Sequence, residues 1–392
     1  MTFQSIRPSE RSAVRILFSG VPAFGHLLPF APLARAARAA GHDVALLTSG
    51  GMAPALAADL PGVPVLPAGP MPDVLFAEVG RRTGVADAAG EPDPRAVAEF
   101  FAGARVDLTA DEALAAARDW APDLMVCEAT DFVGPLVAAV LGVPWHVLAV
   151  GPGVPPEFTA PMTALVTSRY ADRGVTPTAP ASYVDPVPAA LQTPGFVPPA
   201  RRLPVRAEAH QRPGSPAPAD AVRAGRPRVL VTLGTVFTEG DLLAGIVGAL
   251  DTEQVDVVAT LGVMGLTAPE TPGVTYRTFA PLAELLAGVD VVVCAGGSGT
   301  MLGALSRSIP LVVLPQGADQ PLNAARAQAA GVAVVVSDPR EAGAATRLVL
   351  TDPSYGAAAA RLAGEIAAQP SPADVVATLT ADRATAGAPA GR

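Results

Sequence analysis

The chain has 392 residues, half of them apolar and only 16% charged, which suits two ordinary domains with buried sheets and excludes disorder over most of its length. Its 36 acidic residues outnumber 27 basic ones for a net charge of -9, and every basic residue is an arginine. That excludes lysine chemistry (Schiff base, P-loop lysine, lysine general base), and an acidic chain without a basic block is a poor nucleic-acid binder.

The first thirteen residues are polar with both charge signs and lack the apolar core of a signal peptide. A short β-rich run, 14–19, is followed by the Gly/Pro loop GVPAFGHLLP, an Ala/Leu-rich helix stopping at Gly41, and a second strand, 43–48. Strand, loop, helix and strand in so short a span make a βαβ unit. After a helical stretch over 92–119 the rhythm returns with a strand at 123–127, a helix at 134–141 and a strand at 145–150. Their continuous apolar character fits a parallel sheet covered on both faces. The stretch 132–156 carries no charge, but its glycines and prolines interrupt it too often for a spanning helix, so a soluble, cytoplasmic protein is expected. Residues 151–200 are Pro/Thr/Ala-rich with one possible helix near 159–170, and are expected to form a functional surface or cover.

The segment 207–225 reads as an exposed linker. It divides an N-terminal domain, 1–206, from a C-terminal one, 226–383, with a frayed tail at 384–392. In the second domain strands are expected at 228–233, 255–261, 274–278, 289–294, 311–314 and 332–336. Helices are expected at 240–250, 281–286, 298–307, 320–330, 343–350, 355–368 and 372–379. Two successive open α/β domains imply a cleft, with ligands outside the carboxyl ends of the strands.

Several loops at those ends can carry chemistry. Ala295-Gly296-Gly297-Ser298-Gly299-Thr300 follows a strand and opens a helix. Its glycines allow close backbone approach, the helix start offers unpaired N–H groups, and Ser298 and Thr300 add hydroxyls, so it suits a diphosphate; an ordinary tight turn is the plainer reading. Thr235, after an earlier strand of the same unit, can reach the same phosphates. Asp319 and Gln320 suit the hydroxyls of a sugar, although Asp319 could equally cap the helix containing Asn323. Phe279 can pack on a flat ring or in the core. In the first domain His26 can take a proton near neutral pH. Glu128, at the end of the 123–127 strand, is placed to orient it; Asp131 competes for that role and for capping the next helix. His42, His146 and His210 have simpler explanations: helix end, strand interior and linker. The histidines and the two cysteines, Cys127 and Cys294, show neither metal-ligand spacing nor a disulfide framework, and the thiols read as buried.

Taken together these segments resemble the UDP-glycosyltransferase-like enzymes of glycosyltransferase family 1, in the branch found in actinobacterial natural-product pathways. GHLLPFAPLARAARAAGHDVALLT is similar to the family's opening, and Tyr183 to Leu191 to its acceptor-domain marker. GVTYRTFAPLAELLAGVDVVVCAGGSGTMLGALSRSIPLVVLPQGADQPLNAARAQAAGV is similar to its donor-binding segment. The resemblance implies a GT-B fold, two facing Rossmann-like domains, with sugar transfer from a dTDP- or UDP-sugar to a small apolar acceptor: a polyketide, macrolide or phenolic. Inversion without a metal or other cofactor is expected, in a monomer or homodimer. It implies that His26 is the base and that Glu128 stands where an aspartate usually orients it. Thr235, Gly296, Gly297, Ser298, Gly299 and Thr300 would surround the diphosphate, Asp319 and Gln320 the sugar, and the loop at Phe279 the base. One position departs: the family's histidine before the double glycine is Ala295. Ala295 supports an alternative, a weakened nucleotide-sugar-binding or auxiliary homologue; an epimerase or hydrolase of the same architecture is a further one.

Overall fold

A computed structural model describes residues 13–85, 92–214, 225–234, 240–262 and 271–386. The first unit is a seven-stranded sheet formed by β1 (Arg15–Ser19), β2 (Asp43–Thr48), β3 (Val65–Pro67), β4 (Leu124–Glu128), β5 (Trp145–Leu148), β6 (Tyr183–Asp185) and β7 (Arg202–Pro204). All pairings are parallel, in the order β3-β2-β1-β4-β5-β6-β7. The second is six-stranded: β8 (Arg228–Thr232), β9 (Asp256–Thr260), β10 (Val274–Arg277), β11 (Val291–Cys294), β12 (Leu311–Val313) and β13 (Ala333–Val335). It is also parallel, ordered β10-β9-β8-β11-β12-β13. The chain is an α/β protein with the GT-B architecture, two Rossmann-like units.

The sequence explains both sheets. Central strands such as RILFS, LMVCE and VVVC are buried almost throughout, as strands covered by helices on both faces must be. Each sheet reverses strand order once, between β1 and β4 and between β8 and β11, and such reversals open a crevice at the strands' carboxyl ends. His26 follows β1, Glu128 ends β4 and the glycine loop follows β11, so the sequence candidates gather at these two crevices. The crevices face one another. The rings of Phe24 and Phe279 lie 5.5 Å apart, and a Cβ on Gly151, just beyond β5, would stand 2.5 Å from Ser298 Oγ.

Three features join the units. Ala207 and Ala209 are buried in the second unit's core, and His210 Nε2 lies 2.7 Å from the buried carboxylate of Asp59 in the first. Within 207–214, Ala207, Ala209, His210 and Arg212 are therefore packed, while Glu208, Gln211, Pro213 and Gly214 stay exposed as a linker would; His210 has a specific partner, and its backbone carbonyl also accepts from Ala283 N. Val187 and Leu191 of the first unit enter the second unit's core. Conversely the final helix, Pro372–Ala386, returns Val375, Val376 and Leu379 to the first unit's core. Cys127 and Cys294 are free and buried, as expected; burial pushes the Cys294 thiol up to about 12. Among the described residues no helix is long and apolar enough to cross a membrane.

Candidate active site

His26 is carried by a single helical turn, Phe24–Leu27, directly beyond β1. Leu27 is fully buried and anchors that turn, leaving the imidazole about a quarter exposed toward the cleft. Its Nδ1 is buried 3.2 Å from Oε1 of Glu128, at ion-pair distance but outside hydrogen-bond geometry. The partial exposure therefore lies on the rest of the ring, with Nε2 as the nitrogen open to a ligand. Glu128 is completely buried, and its carboxylate accepts from Thr130 N at 2.8 Å and from Thr130 Oγ1 at 2.9 and 3.0 Å. The longer side chain thus reaches the imidazole, held by a residue two positions on. Burial depresses the His26 pKa, but the Glu128 carboxylate, assisted by Asp319 from the other unit, outweighs it and leaves the value raised. Burial raises the Glu128 pKa, and His26 with Thr130 overcomes that and lowers it.

Asp131 does not share this pairing. Its carboxylate accepts from Val133 N, Gly134 N and Ser19 Oγ, so it closes the start of helix Val133–Leu141. It also pairs with the buried Arg105 at 3.1 Å. Phe101 stands beside His26, ring centroids 5.7 Å apart, on a π-helical stretch, Glu99–Ala104. Behind it Val97, Phe132, Val154 and Phe158 pack around Met162, giving this side of the cleft an apolar wall. Part of that wall comes from helix Pro156–Asp172, within the segment expected to form a functional surface.

Across the cleft, Gly296 turns the chain with φ +96°, a conformation that favours glycine; a Cβ there would also meet Val313 at 2.9 Å. Helix Ser298–Leu305 begins without a side-chain cap, and the Cβ positions of Gly297 and Gly299 face open space. Unpaired N–H groups with room above them are suited to an anion. Ser298 Oγ donates to Asp319 Oδ2 at 3.2 Å. Asn323 Nδ2 reaches Gly296 O (2.9 Å), Ser298 Oγ (3.0 Å) and Asp319 Oδ2 (2.8 Å), tying the glycine loop to the 315–320 loop. Asp319 is exposed and makes no side-chain cap to its own helix, so the capping explanation does not hold. Gln320 is buried, and its Oε1 accepts from Gln316 N at 2.7 Å. Thr300 is part-exposed on the helix's first turn. Ala295 is buried in an apolar cluster with Leu233, Val293 and Leu314. Thr235 lies outside the described residues.

The other sequence candidates lie at the carboxyl ends of strands in the two facing units, with Glu128, Ser298 and Gln320 buried and Gly299 and Asp319 exposed. Sequence reasoning missed Thr130, Arg105 and Asn323 as contributors. A short Glu-x-Thr spacing is the local signal for the first; the other two act over distances no local pattern carries. His42 Nδ1 accepts from Val14 N at 3.3 Å, and His146 Nδ1 lies 2.9 Å from Ser182 Oγ, consistent with structural roles. Among the described residues no group of three or more His, Cys, Asp or Glu could hold a metal ion.

The N-terminal profile of the erythromycin biosynthesis protein CIII-like family matches residues 35–197, and its C-terminal profile residues 241–381. L-demethylnoviosyl transferase of Streptomyces niveus is 30% identical, covering 94% of this chain and 98% of that protein. Among solved structures, the Streptomyces sp. SF2575 glycosyltransferase SsfS6 complexed with thymidine diphosphate is 29% identical, with a TM-score of 0.77, covering 93% of this chain and 99% of that one. The spinosyn rhamnosyltransferase SpnG complexed with spinosyn aglycone is 27% identical, with a TM-score of 0.78 and the same coverage.

Proposed function

The chain belongs to the erythromycin biosynthesis protein CIII-like family of GT-B natural-product glycosyltransferases, and from that premise we propose an inverting, metal-independent reaction with His26 as general base. The enzyme transfers a sugar from a nucleotide-sugar donor to a natural-product acceptor. The observation that carries the proposal is the pairing of His26 with Glu128 at the first sheet's crevice, facing the glycine loop of the second.

Nδ1 is turned toward the Glu128 carboxylate, so Nε2 is the nitrogen that meets the acceptor hydroxyl. As that oxygen attacks the anomeric carbon, its proton passes to Nε2 and the bond from carbon to the diphosphate oxygen breaks. The nucleoside diphosphate leaves with the bonding pair, and one displacement inverts the anomeric centre. Glu128 stabilises the imidazolium that forms. The leaving diphosphate rests on the uncapped start of helix Ser298–Leu305, with Gly296, Gly297, Gly299 and the hydroxyls of Ser298 and Thr300; Thr235 completes that site. Asp319 and Gln320 hold the transferred sugar, and Phe279 receives the base. A dTDP-sugar is the favoured donor over a UDP-sugar, since two similar structures hold thymidine diphosphate. The apolar wall around Phe101 fits a polyketide, macrolide or phenolic acceptor. The same hydroxyl deprotonation, on a phenol, would also serve attack by a ring carbon. The protein works in the cytoplasm as a monomer or homodimer.

Ala295 brings no polar group to the diphosphate, which supports the second reading, a homologue that binds donor and turns over slowly. Purified protein incubated with UDP-glucose, a panel of dTDP-sugars and pooled polyketide, macrolide and phenolic acceptors separates the two by mass spectrometry. An acceptor heavier by one sugar, with matching free nucleotide, supports the proposal. Donor binding by calorimetry with no product supports the second reading.

A further inference from the structure

Among the described residues Arg105 is the largest fully buried side chain, 1% exposed. Its Nη2 donates to Gly20 O at 2.9 Å and to Asp131 Oδ1 at 3.1 Å, while Nε and Nη1 have no partner. A buried guanidinium with two unmet donor groups costs more than an apolar side chain of similar size, so fold stability does not account for it. Its two contacts do suggest a purpose. Gly20 follows the last residue of β1 and leads into the His26 turn; Asp131 lies three residues beyond Glu128 at the end of β4. Ser19 Oγ joins the same carboxylate. Arg105 itself follows the π-helical stretch that brings Phe101 to the imidazole. Such wide turns are rare and frequent near functional sites.

We propose that Arg105 is a positioning residue for the His26–Glu128 pair: its guanidinium ties the end of β1 to the segment beyond β4, sets the gap across which imidazole and carboxylate face, and places a fixed positive charge beside them. The inference rests on His26 being the base. Three charged groups act on that imidazole: Glu128 from β4, Asp319 from the second unit and Arg105 from helix Arg105–Trp120. The two carboxylates favour the imidazolium and Arg105 opposes it. Arg105 therefore keeps His26 neutral, and able to accept a proton, at a lower pH than Glu128 alone would allow.

The test is an NMR titration of histidine-labelled full-length protein, with the His26 signal assigned by its loss in His26→Ala. Turnover against pH is measured in parallel. In Arg105→Met the His26 midpoint moves up by about 0.5 to 1 pH unit, the acid limb of kcat/KM moves with it, and kcat falls roughly tenfold while the donor KM holds. Arg105→Lys restores most of the midpoint. A folded Arg105→Met protein with an unmoved midpoint overturns the proposal. Should Arg105→Met not fold, Arg105→Gln removes the charge while keeping an amide able to donate to Gly20 O. There the midpoint must also move up, and an unmoved or lower value overturns the proposal. The base reading fails separately, if His26→Ala keeps full turnover, and the NMR midpoint still reports on Arg105 in that case.

Discussion

Nδ1 of His26 lies 3.2 Å from Oε1 of Glu128, joining the turn beyond β1 to the last residue of β4. The two strands are neighbours in the sheet although the chain visits β2 and β3 between them, so parallel topology alone brings imidazole and carboxylate together. His26→Ala is expected to lower kcat by roughly 10²- to 10⁴-fold, the range for a lost general base. Thymidine diphosphate binding, read by calorimetry, is expected to remain near wild type, because the loops proposed to hold the donor belong to the other unit. Unchanged turnover would remove His26 from the mechanism.

The same pair sets the pH dependence. Burial pulls the His26 pKa down, Glu128 pulls it up, and the net value lies above 6.5. A base must be neutral to act, so the acid limb of kcat/KM is expected above pH 6.5. Glu128→Gln removes the main raising charge and is expected to move that limb down while kcat falls at least about tenfold, since the imidazolium loses its counter-charge. A limb that stays in place in Glu128→Gln contradicts the pairing.

Stability follows with opposite signs for the two partners. The raised His26 pKa contributes stability that is complete below pH 6.5 and fades as pH rises through the folded value. The lowered Glu128 pKa contributes stability present above pH 4.5 and lost as pH falls through its folded value. Thermal melts of wild type and Glu128→Gln are therefore expected to differ most between pH 4.5 and 6.5, and the difference to shrink as pH falls through the folded Glu128 value or rises through the folded His26 value.

Most of this site was legible because strand–loop–helix periodicity places loops at strand ends, and parallel order does the rest. The His26 turn, Glu128 and the glycine loop could be found without any side-chain contact. Thr130, Arg105 and Asn323 could not, since each acts by touching residues on another turn or element. The three-residue strands β3, β6 and β7 escaped notice because Val65–Pro67 and Arg202–Pro204 carry too little pattern and end in proline, which suits the poorly paired margins of a sheet. The packing of Ala207, Ala209, His210 and Arg212 was hidden by the polar composition around them: His210 and Arg212 spend their polarity on one buried carboxylate, Asp59. Likewise the apolar face of helix Pro372–Ala386 does not say which of two cores it will enter.

Gly20, just after β1, and Gly25, in the His26 turn, should respond differently to alanine. A Cβ at Gly20 would meet Leu27 Cδ2 and a Phe30 ring carbon at 3.0 Å and Glu128 Cγ at 3.3 Å. Gly20→Ala is expected to lose about 1–3 kcal/mol of stability by overpacking and to displace Glu128, lowering kcat. Gly25 has nothing within 4 Å of a built Cβ and lies in a helical turn, so Gly25→Ala should melt at or slightly above wild type. Equal melting temperatures for the two variants would contradict this packing.

Asn323 offers the corresponding test in the donor unit. One buried amide serves Gly296 O, Ser298 Oγ and Asp319 Oδ2, so it fixes both the glycine turn proposed to hold the diphosphate and the carboxylate proposed to hold the sugar. Asn323→Ala removes the shared donor and leaves three acceptors to find others, at about 1–3 kcal/mol of stability. Because these groups are arranged before the donor arrives, their loosening falls on binding: the donor KM is expected to rise roughly tenfold, with a smaller fall in kcat. Asn323→Asp is expected to be worse than alanine, since it sets a second carboxylate within hydrogen-bond distance of Asp319 and repels the donor's phosphates. If both variants keep the wild-type donor KM, Asn323 supports only the fold, and the link it makes between the two loops has no part in donor recognition.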